Sequence, residues 1–287
     1  MTSVPPSSLR ESLTSSTRLI AILGDPVKHS LSPVFQNAAF DAAGLDAVYL
    51  AMQTSAELLP GLLRGIALAG GAGNVTVPHK EIAAGAVDVA TDAVSLTGAC
   101  NTFWCEDGLV HGDNTDIHGF VRAAELLLGG RSLAGTRVLL LGAGGAARGA
   151  AYALVREGAD RIVLSNRSMD RAAELRDRFA SITNAIRVAS RDAIEDEEFD
   201  LVVNATALGL SPSDPYPLPL DRGPEFGAAL DMVYAPGRTP WIVALRDRGI
   251  IAEDGLEMLV QQGAVAFERW WGFPPSLVTM RDVLPSR

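Results

Sequence analysis

The chain has 287 residues, close to twice the ~150 residues of a typical domain, so two folded units are expected. Hydrophobic residues make up 48% and charged residues 20%, which supplies more than one core and excludes a globally disordered chain. Against 24 Lys and Arg stand 34 Asp and Glu, a formal charge of −10 that repels nucleic acid and anionic membranes. An anionic small ligand must therefore meet a local cationic or dipolar site.

Residues 1–17 are rich in Ser and Pro without an apolar stretch, and read as a flexible leader rather than a secretory signal. Residues 18–23 form an apolar run ending at Gly24-Asp25-Pro26, a buried strand followed by a loop. Ser32-Pro33 opens a helix to about residue 44, with Ser at the cap and Pro in the first turn. A strand over 47–52, a helix over 54–69 and a strand over 74–77 continue the alternation. That alternation marks an α/β unit with a mainly parallel sheet. Residues 101–104 and 109–111 flank Gly108 as a hairpin, and a helix over 119–128 follows Gly112-Asp113-Asn114-Thr115-Asp116.

A second alternation begins at residue 137: strand 137–141, a glycine-rich turn, a helix to about 158, a strand over 161–165 and a helix over 170–180. Strands over 200–204 and 229–232 and a helix over 255–271 complete it. The apolar stretch 138–155 is broken by glycines and Arg148, which suits strand, turn and helix better than a membrane span. Cys100 and Cys105 are read as free thiols of a reducing compartment, without a disulfide framework or zinc spacing. His29, His79, His111 and His118 are scattered without ligand spacing, so no metal is expected.

The most specific local motif is the strand that runs into Gly142-Ala143-Gly144-Gly145-Ala146-Ala147-Arg148. The first glycine permits a tight turn, the second lets backbone approach a pyrophosphate, and the helix start offers N–H groups and a positive dipole. A plain tight turn is the competing reading. At the end of the next strand, where an NAD site commonly has an acid, stand Asn166, Arg167 and Ser168, with Arg171 one turn on. Guanidinium groups fork onto phosphate, so this end favours NADP over NAD; solvated surface arginines are the alternative. In the first unit, Lys80 after Thr76-Val-Pro-His79, Asn101 and Asp116 all fall near strand ends, where ligands of open α/β sheets bind. Taken singly, Lys80 could be an exposed helix-start residue, Asn101 a turn residue and Asp116 a helix cap.

Together these segments resemble the shikimate dehydrogenase family, also described as shikimate/quinate dehydrogenases. The resemblance runs through Gly24-Asp-Pro-Val-Lys-His-Ser30-Leu-Ser32-Pro, Asn74-Val-Thr-Val-Pro-His-Lys80, Gly98-Ala-Cys-Asn101-Thr and Gly112-Asp-Asn-Thr-Asp116. It continues through Gly142-Ala-Gly-Gly-Ala-Ala-Arg148, Asn166-Arg-Ser168, Asn204-Ala-Thr206, Asp231-Met-Val-Tyr234 and Asp254-Gly-Leu-Glu-Met-Leu-Val-Gln-Gln262. It implies an α/β enzyme of two domains, a substrate domain and a Rossmann-type domain with a cleft between them. It also implies reversible, NADPH-dependent reduction of 3-dehydroshikimate to shikimate, on the route to chorismate and the aromatic amino acids. The expected boundaries are 18–118 with 255–287 for substrate, and 119–254 for NADP.

By the same resemblance, Lys80 and Asp116 are the catalytic pair. Ser30 and Ser32 meet the substrate carboxylate, while Thr76, Asn101, Tyr234 and Gln262 contact its ring hydroxyls or carboxylate. Gly142, Ala143, Gly144, Gly145, Ala146, Asn166, Arg167, Ser168, Arg171 and Thr206 hold the cofactor, with Met232 and Gly255 near the nicotinamide. A cytoplasmic location is expected, with a small-molecule substrate, no nucleic-acid or membrane partner, and a homodimer left open. The chain departs from the family pattern at Cys100, at Ile117-His118 and at Trp271. Quinate or aminoshikimate as substrate, or a non-catalytic NADP-sensing module, are the alternatives.

Overall fold

A computed structural model describes residues 13–285, apart from 212 and 236. Residues 1–12 of the expected leader lie outside the described residues. Its last residues are tied down: the hydroxyls of Thr14, Ser16 and Thr17 donate to Asp46 at 2.8, 2.9 and 2.6 Å. Leader behaviour therefore does not extend to residue 17.

The first sheet is built from β1 (Arg18–Gly24), β2 (Ala47–Gln53), β3 (Ala72–Val75), β4 (Val89–Ala90), β5 (Thr102–Glu106) and β6 (Leu109–Asp113). Its strand order is β2-β1-β3-β5-β6-β4. β1 pairs parallel with β2 and β3, but β5 runs antiparallel to both β3 and β6, so the sheet is mixed rather than mainly parallel. The cause is the hairpin at Gly108, since a two-residue connection can only join antiparallel strands. Around the sheet lie α1 (Ser32–Ala42), α2 (Leu59–Leu68), α3 (Lys80–Ala84) and α4 (Asp92–Thr97). α1 is capped by Leu31 without a side-chain bond, so Ser32 is not the cap and its hydroxyl is left for other partners.

Successive residues of β1 point to opposite faces, as the period of two requires. Ala21 and Leu23 pack with Leu59, Leu63, Val75 and Phe103 under α2. Ile20 and Ile22 pack on the other face with Phe35, Phe40, Tyr49, Phe267 and Trp270. Each buried aromatic there is worth roughly 2–3 kcal/mol in apolar area removed from water. Trp271, unexplained by sequence, closes this cluster: it meets the Phe40 ring edge-on at 5.7 Å, and the Arg18 guanidinium lies 4.6 Å over its ring.

The second sheet is wholly parallel, in the order β12-β11-β10-β7-β8-β9. Its strands are β7 (Arg137–Leu141), β8 (Arg161–Ser165), β9 (Ile186–Val188), β10 (Glu198–Asn204), β11 (Glu225–Asp231) and β12 (Ile251–Glu253). The helices are α5 (Asp116–Leu127), α6 (Gly145–Arg156), α7 (Met169–Phe179), α8 (Pro240–Asp247), α9 (Leu256–Trp271) and α10 (Leu277–Asp282). Val138 and Leu140 face α5 and α6, while Leu139 and Leu141 face Trp241, Ile242 and Leu245 of α8.

Two helices join the lobes. α5 starts three residues earlier than expected, directly at Asp116, and buries Phe120 and Ala124 in the second lobe's core. α9 places Met258 in that same core and Phe267 and Trp270 in the first lobe's core. The two helices cross at Gly119, where a Cβ would lie 2.7 Å from the Met258 carbonyl and 2.8 Å from Gln262 Cβ. Only glycine permits that approach. Among the described residues no helix is long and apolar enough to cross a membrane.

Candidate active site

Lys80 opens α3 and Asp116 opens α5, so two helix starts from different parts of the chain bring these side chains together. Lys80 Nζ donates to Asp116 Oδ2 at 2.5 Å, and both side chains keep about a quarter of their surface in solvent, at 27% and 21%. Asn101 Nδ2 donates to the other carboxylate oxygen, Asp116 Oδ1, at 2.9 Å. Both oxygens of Asp116 are thereby engaged, and its plane is set. Asn101 Oδ1 in turn accepts from the Thr115 backbone N–H at 2.7 Å. His79, buried beside Lys80, has its ring Nε2 2.6 Å from the Thr54 carbonyl, which ties the start of α3 to the end of β2.

A buried polar chain runs from this pair to the serine segment. Thr102 Oγ1 bridges Asn101 Oδ1 at 3.0 Å and accepts from Asn74 Nδ2 at 2.9 Å; Asn74 Oδ1 accepts from the Tyr49 hydroxyl at 2.7 Å. The Ser32 side chain hydrogen-bonds the same Tyr49 hydroxyl, whose pKa burial drives far up, so that it remains a neutral donor. Ser30 Oγ accepts from the Ser32 backbone N–H at 3.2 Å. Ser30 and Ser32 therefore sit at the N-terminus of α1, at the positive end of the helix dipole. Thr76, half-buried, follows β3, and its N–H donates to Leu23 O at 2.9 Å. Gln262, from α9, places Oε1 3.4 Å from both Asn101 Nδ2 and Thr115 Oγ1.

Sequence reading passed over Tyr49 and Arg269 and gave no role of their own to Thr102 and Asp113, which stand inside its motifs. Asp113 is buried, accepts from Thr91 Oγ1 and the Asn114 N–H at 2.8 Å each, and pairs with Arg269 Nε at 3.0 Å. It anchors the loop that carries Asp116. Cys100 is fully buried and burial pushes its thiol up to about 12, so it is inert packing beside Asn101.

The facing wall comes from the second sheet. Gly142 adopts φ +117, which only glycine takes without strain, and a Cβ there would lie 2.8 Å from the Ala205 carbonyl. Gly144 caps α6 without a side-chain bond; Gly144, Gly145 and Ala146 are exposed and Ala143 is half-buried. Nothing lies within 4 Å of a Cβ built on Gly144, so the uncapped N–H groups of the first turn face open space. These are the donors a pyrophosphate needs, and the residues present fit a dinucleotide. Asn166 Nδ2 donates to Ser168 O at 2.8 Å, Ser168 caps α7 through the Arg171 N–H, and the Arg167 and Arg171 side chains are exposed.

Thr206 lies beside the Gly142 turn, its hydroxyl donating to Asn204 Oδ1 at 2.7 Å. Asn204 Nδ2 donates to Asp231 Oδ1 at 2.8 Å, and Asp231 also accepts from Val233 N–H at 3.0 Å and Thr239 Oγ1 at 2.8 Å. Burial, with Asp254 nearby, pushes the Asp231 carboxyl up to about 6. Gly255 N donates to Val233 O at 3.0 Å, which sets it beside the Met232 segment. Tyr234 reaches across to the Leu31 backbone, and burial raises its hydroxyl's pKa. Lys80, Asp116 and Asn114 of one lobe and Gly145, Ala146 and Met232 of the other line a single small pocket.

A proton-handling Lys–Asp pair set opposite a glycine turn on a parallel sheet is the arrangement of a two-domain, dinucleotide-dependent oxidoreductase. The substrate-binding domain model of shikimate dehydrogenase matches residues 22–103, the shikimate/quinate 5-dehydrogenase model 123–209 and the shikimate 5'-dehydrogenase C-terminal model 255–284. The chain belongs to the shikimate dehydrogenase family. It is 40% identical to the NADP(+) shikimate dehydrogenase of Methanopyrus kandleri, over 96% of this chain and 98% of that one. It is 42% identical to that of Moorella thermoacetica, over 94% and 93%. The crystal structure of the Thermus thermophilus shikimate 5-dehydrogenase in complex with NADP(H) and shikimate superposes with a TM-score of 0.83 at 37% identity, covering 93% of this chain and 98% of that one.

Proposed function

We propose that this chain is an NADP-dependent shikimate dehydrogenase that reversibly reduces the ketone of 3-dehydroshikimate to shikimate. The observation that carries the reading is the Lys80–Asp116 pair at 2.5 Å, lining one pocket with the start of α6 and Met232. When bound, NADPH supplies the hydride, and NADP accepts it in the reverse direction. Lys80 Nζ faces the reacting oxygen, stabilises the negative charge that develops there and gives it a proton. In the oxidative direction the same nitrogen takes the alcohol proton. Asp116, fixed by Asn101, holds the ammonium in line and balances its charge. Ser30 and Ser32, at the positive end of α1, receive the carboxylate through their hydroxyls in a chain whose total charge disfavours it. Thr76, Asn101, Tyr234 and Gln262 take the ring hydroxyls or the carboxylate.

On this reading residues 18–118 with 255–287 bind substrate, and 119–254 bind the cofactor through Gly142 to Ala146, Asn166 to Ser168, Arg171, Thr206, Met232 and Gly255. Arg167 and Arg171 receive the 2′-phosphate. The protein works in the cytoplasm on a small molecule, as a monomer or a homodimer. The deciding experiment compares initial rates with shikimate and quinate, each with NADP and NAD. Preference for shikimate with NADP is expected; preference for quinate, or no turnover in a protein that still binds NADPH, overturns the reading.

A further inference from the structure

Arg148 lies one turn into α6, the helix whose start faces the pyrophosphate position, and its guanidinium comes within 3.7 Å of a Cβ built on Gly145. It does not pair within its own lobe. Arg148 Nη2 donates to Glu81 Oε1 of α3, in the other lobe, next in sequence to Lys80. The arginine side chain is 15% exposed and Glu81 66% exposed, so a largely buried cation reaches out to a carboxylate at the cleft rim. Arg148 Nε is buried without a protein partner, so nothing else on that nitrogen directs the side chain. Tyr234, reaching the Leu31 backbone, provides a second contact between the lobes. Lys80, next to Glu81, lines one pocket with Gly145 and Ala146 of the α6 start.

We infer that the Arg148–Glu81 ion pair is a positioning device for Lys80, fixing the spacing of the two lobes at the reaction site. The inference rests on the functional reading above. Reacting groups carried by separate lobes must approach to about 3–3.5 Å, and a misplacement of about 1 Å can cost orders of magnitude in rate. A charge pair that spans the cleft beside the catalytic lysine holds that spacing. Glu81 itself is too exposed to support the fold and is not among the groups that meet substrate or cofactor.

Glu81→Gln tests this. At saturating substrates kcat should fall about threefold to tenfold, with the KM for NADPH and the melting temperature unchanged. Glu81→Asp, which keeps the charge one methylene short, should recover part of the loss. Because one partner is exposed, about 1 M KCl should lower the parent's kcat toward the variant's and leave the variant's nearly constant. Lobe spacing is read without turnover by pulsed electron paramagnetic resonance between nitroxides at Leu68→Cys and Glu174→Cys, with Cys105→Ser removing the half-exposed thiol. The distance distribution of the ligand-free protein should broaden with Glu81→Gln. An unchanged distribution, or an unchanged kcat, overturns the inference. If the parent itself fails to oxidise shikimate with NADP, the functional reading falls, and the distance distribution alone decides whether the pair holds the lobes.

Discussion

Lys80 and Asp116 are 36 residues apart, and their 2.5 Å contact depends on a carboxylate that Asn101 already orients. Replacing Lys80 with Ala removes the only ammonium at the pocket among the described residues and leaves the α6 turn intact. Turnover should fall by about a hundredfold or more, with NADPH binding nearly unchanged as read by fluorescence titration. Arg167→Ala should weaken NADPH far more than NADH, because on the proposed reading the guanidinium answers only the 2′-phosphate; equal losses would remove that assignment. The Lys80–Asp116 pair could be read from the sequence because both residues stand in motifs at strand ends. Tyr49 and Arg269 could not. Each acts through a partner, Arg269 on Asp113 across 156 positions, and no local spacing announces such a contact.

At the scale of elements, β10, β11 and β12 end side by side, and the buried Asp231 carboxylate draws the turns after β10 and β11 together. It takes hydrogen bonds from Asn204, Val233 and Thr239, which sets the segments that bear Thr206, Met232 and Tyr234. Its pKa is raised from 3.8 to about 6, so the folded state holds this proton more tightly than the unfolded chain. The stability it contributes is complete below about pH 4 and is lost as pH rises through 6. Between pH 5 and pH 8 this group alone should cost the fold about 1 kcal/mol. Asp231→Asn keeps the acceptor for Asn204 and Val233 while abolishing the titration, so urea midpoints should depend less on pH in the variant; equal slopes would refute the assignment.

The long apolar strands and the glycine turn were readable because their periodicity is strong and uninterrupted. The short β4, β9 and β12 were not, since two or three residues carry no period, and their pairing is decided by neighbours already in the sheet. The helix expected from residue 54 begins only at Leu59, where the first buried leucine docks. The hairpin at Gly108 announces the antiparallel β5–β6 pair, but no local signal tells that β5 also lies antiparallel beside β3.

At the scale of the molecule, the site exists only between lobes, and its two halves have separate cores. α9 is buried in both, with Met258 in the second core and Phe267 and Trp270 in the first, and α5 carries the chain from Asp116 into the second core; they cross where Gly119 lets them touch. The Arg148–Glu81 and Tyr234–Leu31 contacts also join the two lobes. The negative total charge keeps this surface from competing anionic polymers, while α1 and α6 present their positive ends to the cleft.

The aromatic cluster of the first lobe has an unusual history during synthesis. Phe40 and Tyr49 belong to the opening stretch of the chain, yet the Phe267, Trp270 and Trp271 that cover them come near its end. At ~5–20 residues per second, the ribosome needs on the order of ten seconds or more to deliver that cover. For that interval the second lobe can fold as an uninterrupted insert while the first waits with an apolar face open, a window in which a nascent-chain chaperone has something to hold.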